Sequence, residues 1–112
     1  MSAQSELYDQ AEKLKDAGDL DGAAARLNEI LAMDPEYALA HSALAVVLQR
    51  AQKHTEAIEH AKKVCELQPD DPFSFTALSV TYQRAYAGTG EMAYIPLAEE
   101  AMERSRQTQM RG

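Results

Sequence analysis

Few residues in this sequence of 112 could carry out chemistry. Cys65 is the single cysteine, and nucleophilic catalysis would need a base and an orienting group beside it. Helical spacing places Cys65 on an inward face, which favours a small buried thiol over the alternative, a reactive thiolate. His60 follows Glu56 by one helical turn, but His54 falls on a different face, so the three make a poor metal site. We therefore predict no catalytic residue, no metal ligand and no cofactor.

Composition and charge narrow the range of partners. Eleven basic residues against 18 acidic ones give a net charge of −7, whereas nucleic acids and anionic membranes attract cationic surfaces. Gly88 and Gly90 lack the lysine and the strand-to-helix context of a phosphate-binding loop. The lone cysteine, and a start that has neither a basic stretch nor an apolar run, favour a reducing compartment. We predict a cytoplasmic protein that binds neither nucleic acid nor membrane.

Two segments of the chain are closely similar at a spacing of 34 residues. Residues 42–51 read SALAVVLQRA and residues 76–85 read TALSVTYQRA, with six identities in register. Pro35 and Pro69 keep the same spacing, and each precedes a helical pattern, where proline is tolerated in the first turn. Repetition at this period is typical of stacked helical units.

Apolar residues recur at intervals of three and four, which predicts helices, and no segment alternates like a strand. We predict six helices in three antiparallel pairs, with turns near Gly18, Gln52 and Gly88 and a loop over residues 87–91. Asp19 is expected to cap the second helix. The predicted inward residues are Leu7, Ala11 and Leu14 in the first helix, Leu20, Ala23, Leu27, Ile30 and Leu31 in the second, Leu44, Ala45 and Leu48 in the third, Ala57, Ile58, Ala61, Val64 and Cys65 in the fourth, Phe75, Leu78 and Tyr82 in the fifth, and Leu97, Ala98, Ala101 and Met102 in the sixth.

A two-helix unit of this length with a closing proline resembles the tetratricopeptide repeat family. The positions that match the family are the large opening residue (Leu7, His41 and Phe75), the small residue of the first helix (Ala11, Ala45 and Ser79), the tyrosine position (Leu14, Leu48 and Tyr82), and the small residue of the second helix (Ala23 and Ala57). The resemblance covers nearly the whole chain. It implies an all-α solenoid of three helix-turn-helix repeats, whose six antiparallel helices form a right-handed superhelix.

The repeat period divides the chain into units. We expect a single domain over residues 1–112, with repeats at about 4–37, 38–71 and 72–107. The third repeat departs from the pattern because three extra residues separate its two helices, and we place them in the loop near residues 87–91. Pro96 also requires the sixth helix to begin late, near residue 94 or 95.

The resembled fold presents the first helix of each repeat to a concave groove. The residues expected to line that groove are Tyr8, Asp9 and Glu12 in the first repeat, Leu39, Ser42, Ala43, Val46, Gln49 and Arg50 in the second, and Phe73, Thr76, Ala77, Val80, Gln83 and Arg84 in the third. We also expect Asp16 to form an ion pair with Arg50 across the repeat boundary, which would leave Arg84 free.

These residues predict a non-catalytic protein–protein interaction module, which binds a peptide or helix with an apolar segment in its groove. The alternative function is self-association into a homo-oligomer, through the groove or the terminal helix. In a third interpretation Leu39 and Phe73 are buried between neighbouring repeats, while Ala43, Val46, Ala77 and Val80 are exposed without a functional role. Family members that bind the acidic tails of heat-shock chaperones use lysine, arginine and asparagine side chains at the positions that hold Tyr8, Glu12, Ala43, Phe73 and Ala77 here. No cation is left at these positions, so that activity is not expected.

Overall fold

The computed structural model describes residues 2–111, which form six α-helices and no strand. The helices are α1 (Ala3–Asp16), α2 (Leu20–Met33), α3 (Ala38–Arg50), α4 (His54–Leu67), α5 (Pro72–Thr89) and α6 (Tyr94–Arg111). Each helix packs against the one before and the one after it in the chain, and α3 also contacts α5. The prediction of an all-α fold built from helix pairs is confirmed.

Short polar residues and proline define where helices begin. The Oδ1 atom of Asp19 accepts a hydrogen bond from the backbone N–H of Gly22 at 2.9 Å, which confirms the predicted cap of α2. Asp71 caps α5 in the same manner, since its Oδ1 accepts from the N–H of Phe73 at 3.0 Å. Pro72 is the first residue of α5, where its missing N–H costs no helical hydrogen bond.

The turns after α1, α3 and α5 each contain a residue with positive φ. These residues are Gly18 (+86°), Gln52 (+64°) and Gly90 (+72°), so the turns predicted at residues 18 and 52 are confirmed. The third turn lies slightly later than predicted, because α5 continues to Thr89 and only residues 90 and 91 of the predicted loop over residues 87–91 lie outside it. Gly88 is helical, and a Cβ atom there would lie only 3.0 Å from Cε1 of His54, so its missing side chain admits the imidazole ring.

The extra residues of the third repeat therefore lengthen a helix as well as a connection. α5 has 18 residues whereas its counterpart α3 has 13, and residues 90–93 lead to α6. The late start of α6 is confirmed, since it begins at Tyr94 and holds Pro96 in its first turn.

Two apolar clusters form the core, and α3 and α4 contribute to both. The first cluster joins α1, α2, α3 and the start of α4 through Ala11, Ala23, Leu27, Ile30, Ala40, Leu44, Val47, Leu48 and Ala57. The second joins α3, α4, α5 and α6 through Ala45, Ile58, Ala61, Cys65, Phe75, Leu78, Tyr82, Ala85, Ala98 and Ala101. Leu97, which was predicted to face inward, is 38% exposed because it lines an outer cleft between α4 and α6.

Among residues 2–111, no helix combines the length and the apolar character needed to cross a bilayer.

Candidate functional site

A cleft of about 400 Å³ opens between α3 and α5, with α4 at its base; we call it the α3/α5 cleft. It lies where the predicted concave groove joins the second and third repeats. The cleft is lined by Ser42, Ala45, Val46 and Gln49 of α3, Ala61 and Val64 of α4, Gln68 beyond α4, Asp71 at the α5 cap, and Phe73, Ser74, Ala77, Val80 and Thr81 of α5. Six of these thirteen residues, Ser42, Val46, Gln49, Phe73, Ala77 and Val80, are residues that we predicted from the repeat register.

Apolar side chains at this cleft are open to solvent. Val46 is 41% exposed, Val80 is 40% exposed and Phe73 is 75% exposed. Leu39, one helical turn before the cleft on α3, is 48% exposed. The predicted burial of Leu39 and Phe73 between neighbouring repeats is therefore wrong, and the α3/α5 cleft offers uncovered apolar surface.

Three of the predicted groove residues contact other parts of the fold and do not line the α3/α5 cleft. Ala43 is half-buried and packs against the first core cluster. The Oγ1 atom of Thr76 lies 2.7 Å from Oγ of Ser105 on α6, so Thr76 contacts its own repeat partner. Gln83 donates from Nε2 to Oγ of Ser79 at 3.1 Å and lines a different cleft, between α5 and α6.

The first repeat presents a polar surface instead of an apolar one. Glu12 forms an ion pair with Lys15 at 3.1 Å, and Asp9 is exposed. Tyr8 is half-buried, and its pKa is raised by burial and by the neighbouring carboxylate of Glu12. Lys15 was missed by our sequence analysis, although it occupies the position that Gln49 holds one repeat later, and that spacing would have identified it.

Arg50 and Arg84, which we predicted to line the groove, are exposed and are not among the residues that line the α3/α5 cleft. All ion pairs among residues 2–111 join residues three apart on one helix, and none involves Arg50 or Arg84. The predicted pair between Asp16 and Arg50 is therefore wrong. Asp16 and Arg50 are exposed ends of α1 and α3, and exposed pairs gain too little to hold two long side chains together. Arg50 and Arg84 consequently remain available to an acidic group on a ligand.

The base of the cleft comes from residues that the register of the first helices did not indicate. Ala61 and Val64 of α4 were predicted only as core residues. Ser74 and Thr81 of α5 are 4% and 7% exposed, and Thr81 satisfies its hydroxyl by donating to the Ala77 carbonyl at 2.9 Å. The sequence could have identified Ser74 and Thr81, because they are seven residues apart and therefore lie on the same face of α5.

The histidines form a pair rather than a metal centre. Nδ1 of His41 lies 2.9 Å from Nδ1 of His60, and Nε2 of His41 lies 2.8 Å from the Pro35 carbonyl. The carbonyl can only accept, so His41 donates from Nε2, and its Nδ1 accepts from His60 when both rings are neutral. Burial and the neighbouring His41 lower the pKa of His60. The described part of the chain holds no cluster of three or more His, Cys, Asp or Glu residues suited to a metal ion.

The Cys65 thiol lies in the second core cluster. It is 8% exposed and donates to the Ser74 carbonyl at 3.3 Å. Burial raises its pKa to about 11, so at neutral pH the group is a thiol and not a nucleophilic thiolate.

Comparison with solved structures shows which proteins share this fold. MamA matches with a TM-score of 0.78 at 18% identity, over 96% of this chain and 59% of MamA. The CopN–Scc3 complex contains a chain that matches with a TM-score of 0.77 at 15% identity, over 94% of this chain and 58% of that one. The TPR2B domain of yeast Sti1, in a complex with pHsp70, matches with a TM-score of 0.64 at 16% identity, over 94% of this chain and 97% of that domain. The present chain thus spans about three-fifths of the first two structures.

Sequence comparison identifies the family. No curated protein sequence matches the chain significantly. The family model for the tetratricopeptide repeat matches residues 8–72, more than half of the 112 residues. That segment contains α2, α3 and α4 and most of α1. With helix pairs stacked in chain order and the same fold in solved repeat proteins, the chain belongs to the tetratricopeptide repeat family.

Proposed function

We propose that this chain is a non-catalytic interaction module whose α3/α5 cleft binds an apolar segment of a partner protein. The observation that carries the proposal is the exposure of Val46, Phe73 and Val80 around a base formed by Ala61 and Val64. Apolar side chains that surround a cleft and remain in contact with water gain free energy when a ligand covers them. A volume of about 400 Å³ falls within the range of ligand pockets.

The surroundings of the cleft favour a ligand with opposite charges at its two ends. Arg50 and Arg84 are exposed and unpaired among the described residues, so they favour an acidic group beside the apolar segment. On the first repeat, Glu12 is paired with Lys15, which leaves Asp9 and Asp16 as exposed carboxylates for a basic group.

The structural neighbours are consistent with a protein ligand. CopN–Scc3 and the Sti1 domain with pHsp70 are both complexes between proteins. The present chain carries Tyr8, Glu12, Ala43, Phe73 and Ala77 where the chaperone-binding relatives carry amide and cationic side chains. Its ligand is therefore apolar in character and not a tail held by its carboxylates.

We also propose that this chain catalyses no reaction. The Cys65 thiol is buried with a pKa of about 11, and its hydrogen bond goes to a backbone carbonyl rather than to a base. His60 is engaged with His41. These groups stabilise the fold, and a cytoplasmic location remains a prediction from the single cysteine.

The test replaces Val46 and Val80 together with Glu, to place two charges in the cleft. Exposed substitutions on helices usually change stability by less than about 0.5 kcal/mol each, so the variant should fold. It should lose at least one of the partner proteins that the parent chain captures from its native host's lysate, because burying an unpaired charge is costly.

The matched control is the double variant Met33→Glu and Leu97→Glu. Met33 is 50% exposed and Leu97 is 38% exposed, so the same chemical change is made on surfaces away from the cleft, and capture should persist. Equal capture by both variants would refute the assignment of the cleft. Sedimentation of the parent chain tests the alternative function, self-association. A dimer that dissociates when Val46 and Val80 are both replaced by Glu would make the cleft a self-association surface.

A further inference from the structure

A second open cleft lies between α5 and α6, at the end of the stack of helices. It has a volume of about 450 Å³, and we call it the α5/α6 cleft. Its lining is mostly apolar and includes Ser79, Gln83 and Tyr86 from α5 and Ile95, Ala98 and Met102 from α6. Tyr86 is 38% exposed and Ile95 is 36% exposed.

The same set of positions exists one repeat earlier, where the part on the second helix, α4, is covered. Ser79 and Gln83 lie 34 residues after Ala45 and Gln49, which line the α3/α5 cleft. The second helices of the two repeats, α4 and α6, align at a spacing of 37 residues, because three extra residues lie between α5 and α6. Ile95 and Met102 of α6 then correspond to Ile58 and Cys65 of α4.

The covering element in the earlier repeat is α5. Ile58 is 6% exposed and Cys65 is 8% exposed, in a core cluster that they share with Phe75 and Leu78 of α5. Their counterparts Ile95 and Met102 have no such neighbour among the described residues, and Ile95 is 36% exposed. The α5/α6 cleft is therefore the surface on which a further helix would pack.

The fold itself shows which helix face fits this kind of surface. α5 packs against α4 with Ser74, Leu78 and Thr81, each at most 9% exposed. α3 packs against α2 with Ala40, Leu44 and Val47, each at most 2% exposed. Both faces carry a small residue, a leucine and a β-branched residue at positions i, i+4 and i+7, which lie on one side of a helix.

The corresponding face of α1 is polar, and this excludes one kind of occupant. Its residues at the same positions are Glu6, Gln10 and Lys13, all exposed. Stacking of a second copy head to tail would place these three polar side chains against Ile95 and Met102. Lys13 could then pair with Glu99, but Glu6 and Gln10 would cover apolar side chains where α3 and α5 present a small residue and a leucine. The occupant is thus a helix of different sequence.

We propose that the α5/α6 cleft binds an amphipathic helix of a partner protein, whose inward face carries a small residue, a leucine and a β-branched residue at i, i+4 and i+7. Glu99 lines the same cleft, so a basic residue beside the apolar stripe would complement it. This surface is separate from the α3/α5 cleft, and the module would hold two protein segments at once.

The test uses as its probe a labelled synthetic peptide of residues 37–53, which presents the α3 face. The matched peptide carries Leu44→Gln and Val47→Gln and has the same charge. We expect the parent peptide to bind the full chain at least ten-fold more tightly than the matched peptide, by fluorescence anisotropy. Ile95→Glu, or Met102→Glu if that variant unfolds, should weaken the parent peptide at least ten-fold.

The Val46→Glu and Val80→Glu double variant separates this proposal from the proposed function, because it should leave binding of the peptide unchanged. Equal binding of the two peptides, absence of binding, or binding that persists after both Ile95→Glu and Met102→Glu would overturn the proposal. A chain that dimerises without peptide and dissociates on Ile95→Glu would also overturn it, since the occupant would then be a second copy.

Discussion

Replacement of Gly88 by Ala tests the close contact between the end of α5 and the start of α4. The new Cβ atom would meet Nε2 of His54 and would lie 3.0 Å from its Cε1 and 3.1 Å from Oε1 of Gln52. His54 is 7% exposed and its Nε2 is hydrogen-bonded to Gln52 at 3.1 Å, so the ring has little room to move.

Two effects of opposite sign decide the outcome. Ala in place of Gly stabilises a helix by roughly 0.5–1 kcal/mol. Overpacking costs about 1–3 kcal/mol, and displacement of the His54 ring weakens a hydrogen bond worth about 0.5–1.5 kcal/mol. We expect Gly88→Ala to lower the free energy of unfolding by about 0.5–4 kcal/mol, the net of these contributions, in urea titrations followed by circular dichroism.

The His54→Ala background supplies the control, because it removes the imidazole atoms that a Cβ at position 88 would meet. It also frees the exposed Gln52 side chain, the other contact, from its hydrogen bond to the ring, so that side chain can move away. In that background Gly88→Ala should be stabilising by roughly 0.5–1 kcal/mol, so that the sign of the effect reverses. A stabilising effect in the parent, or the same destabilisation in both backgrounds, would refute the argument that Gly88 is required by the His54 ring.

Three further predictions concern the core and its titratable groups. Ala45 and Ala57 are 7% and 0% exposed, and a change of either to Leu should lower the free energy of unfolding by about 1–3 kcal/mol; a thermal melt that coincides with the parent's would contradict this. The pKa of His60 is lowered in the folded chain by burial and by His41. The unfolded chain therefore binds that proton first, and stability that is present above about pH 6.5 should fall as the pH drops from 7.5 to 5.5. A His60→Gln variant should show a smaller loss over that range, and an equal loss would count against the pair. Because burial raises the pKa of Cys65 to about 11, iodoacetamide at pH 8 should modify the native chain far more slowly than the chain in urea; equal rates would show that the thiol is accessible.

The helices were predictable because each carries its own apolar periodicity, and because short-range signals mark several of their ends. Asp19 and Gly18 act within a few residues of their own positions, as a cap and a turn. Gly88 misled the prediction because glycine usually marks a turn, while here it is required by the ring of His54, which lies 34 positions earlier in the chain. A contact of that range is set by tertiary packing and has no local signature.

The candidate site was predictable only where a single helix supplies it. The register of α3 and α5 identified Val46 and Val80, whose exposure follows from the burial of their neighbours on the same helix. It did not show that Thr76 bonds to Ser105 of α6, or that Ala61 of α4 contributes to the base of the cleft. Those contacts depend on how three helices cross, and the period of one helix carries no information about crossing geometry.

Site-specific photocrosslinking at the α3/α5 cleft tests whether a partner protein binds there. A benzophenone amino acid in place of Phe73, which is 75% exposed at the cleft, is compared with the same residue in place of Met33, which is 50% exposed away from it. After illumination in lysate of the native host, we predict a discrete protein adduct from position 73 that disappears when Val46 and Val80 are both Glu, and none from position 33. An adduct from position 33 alone, or one from position 73 that survives the two Glu substitutions, would contradict the claim that this cleft binds the partner.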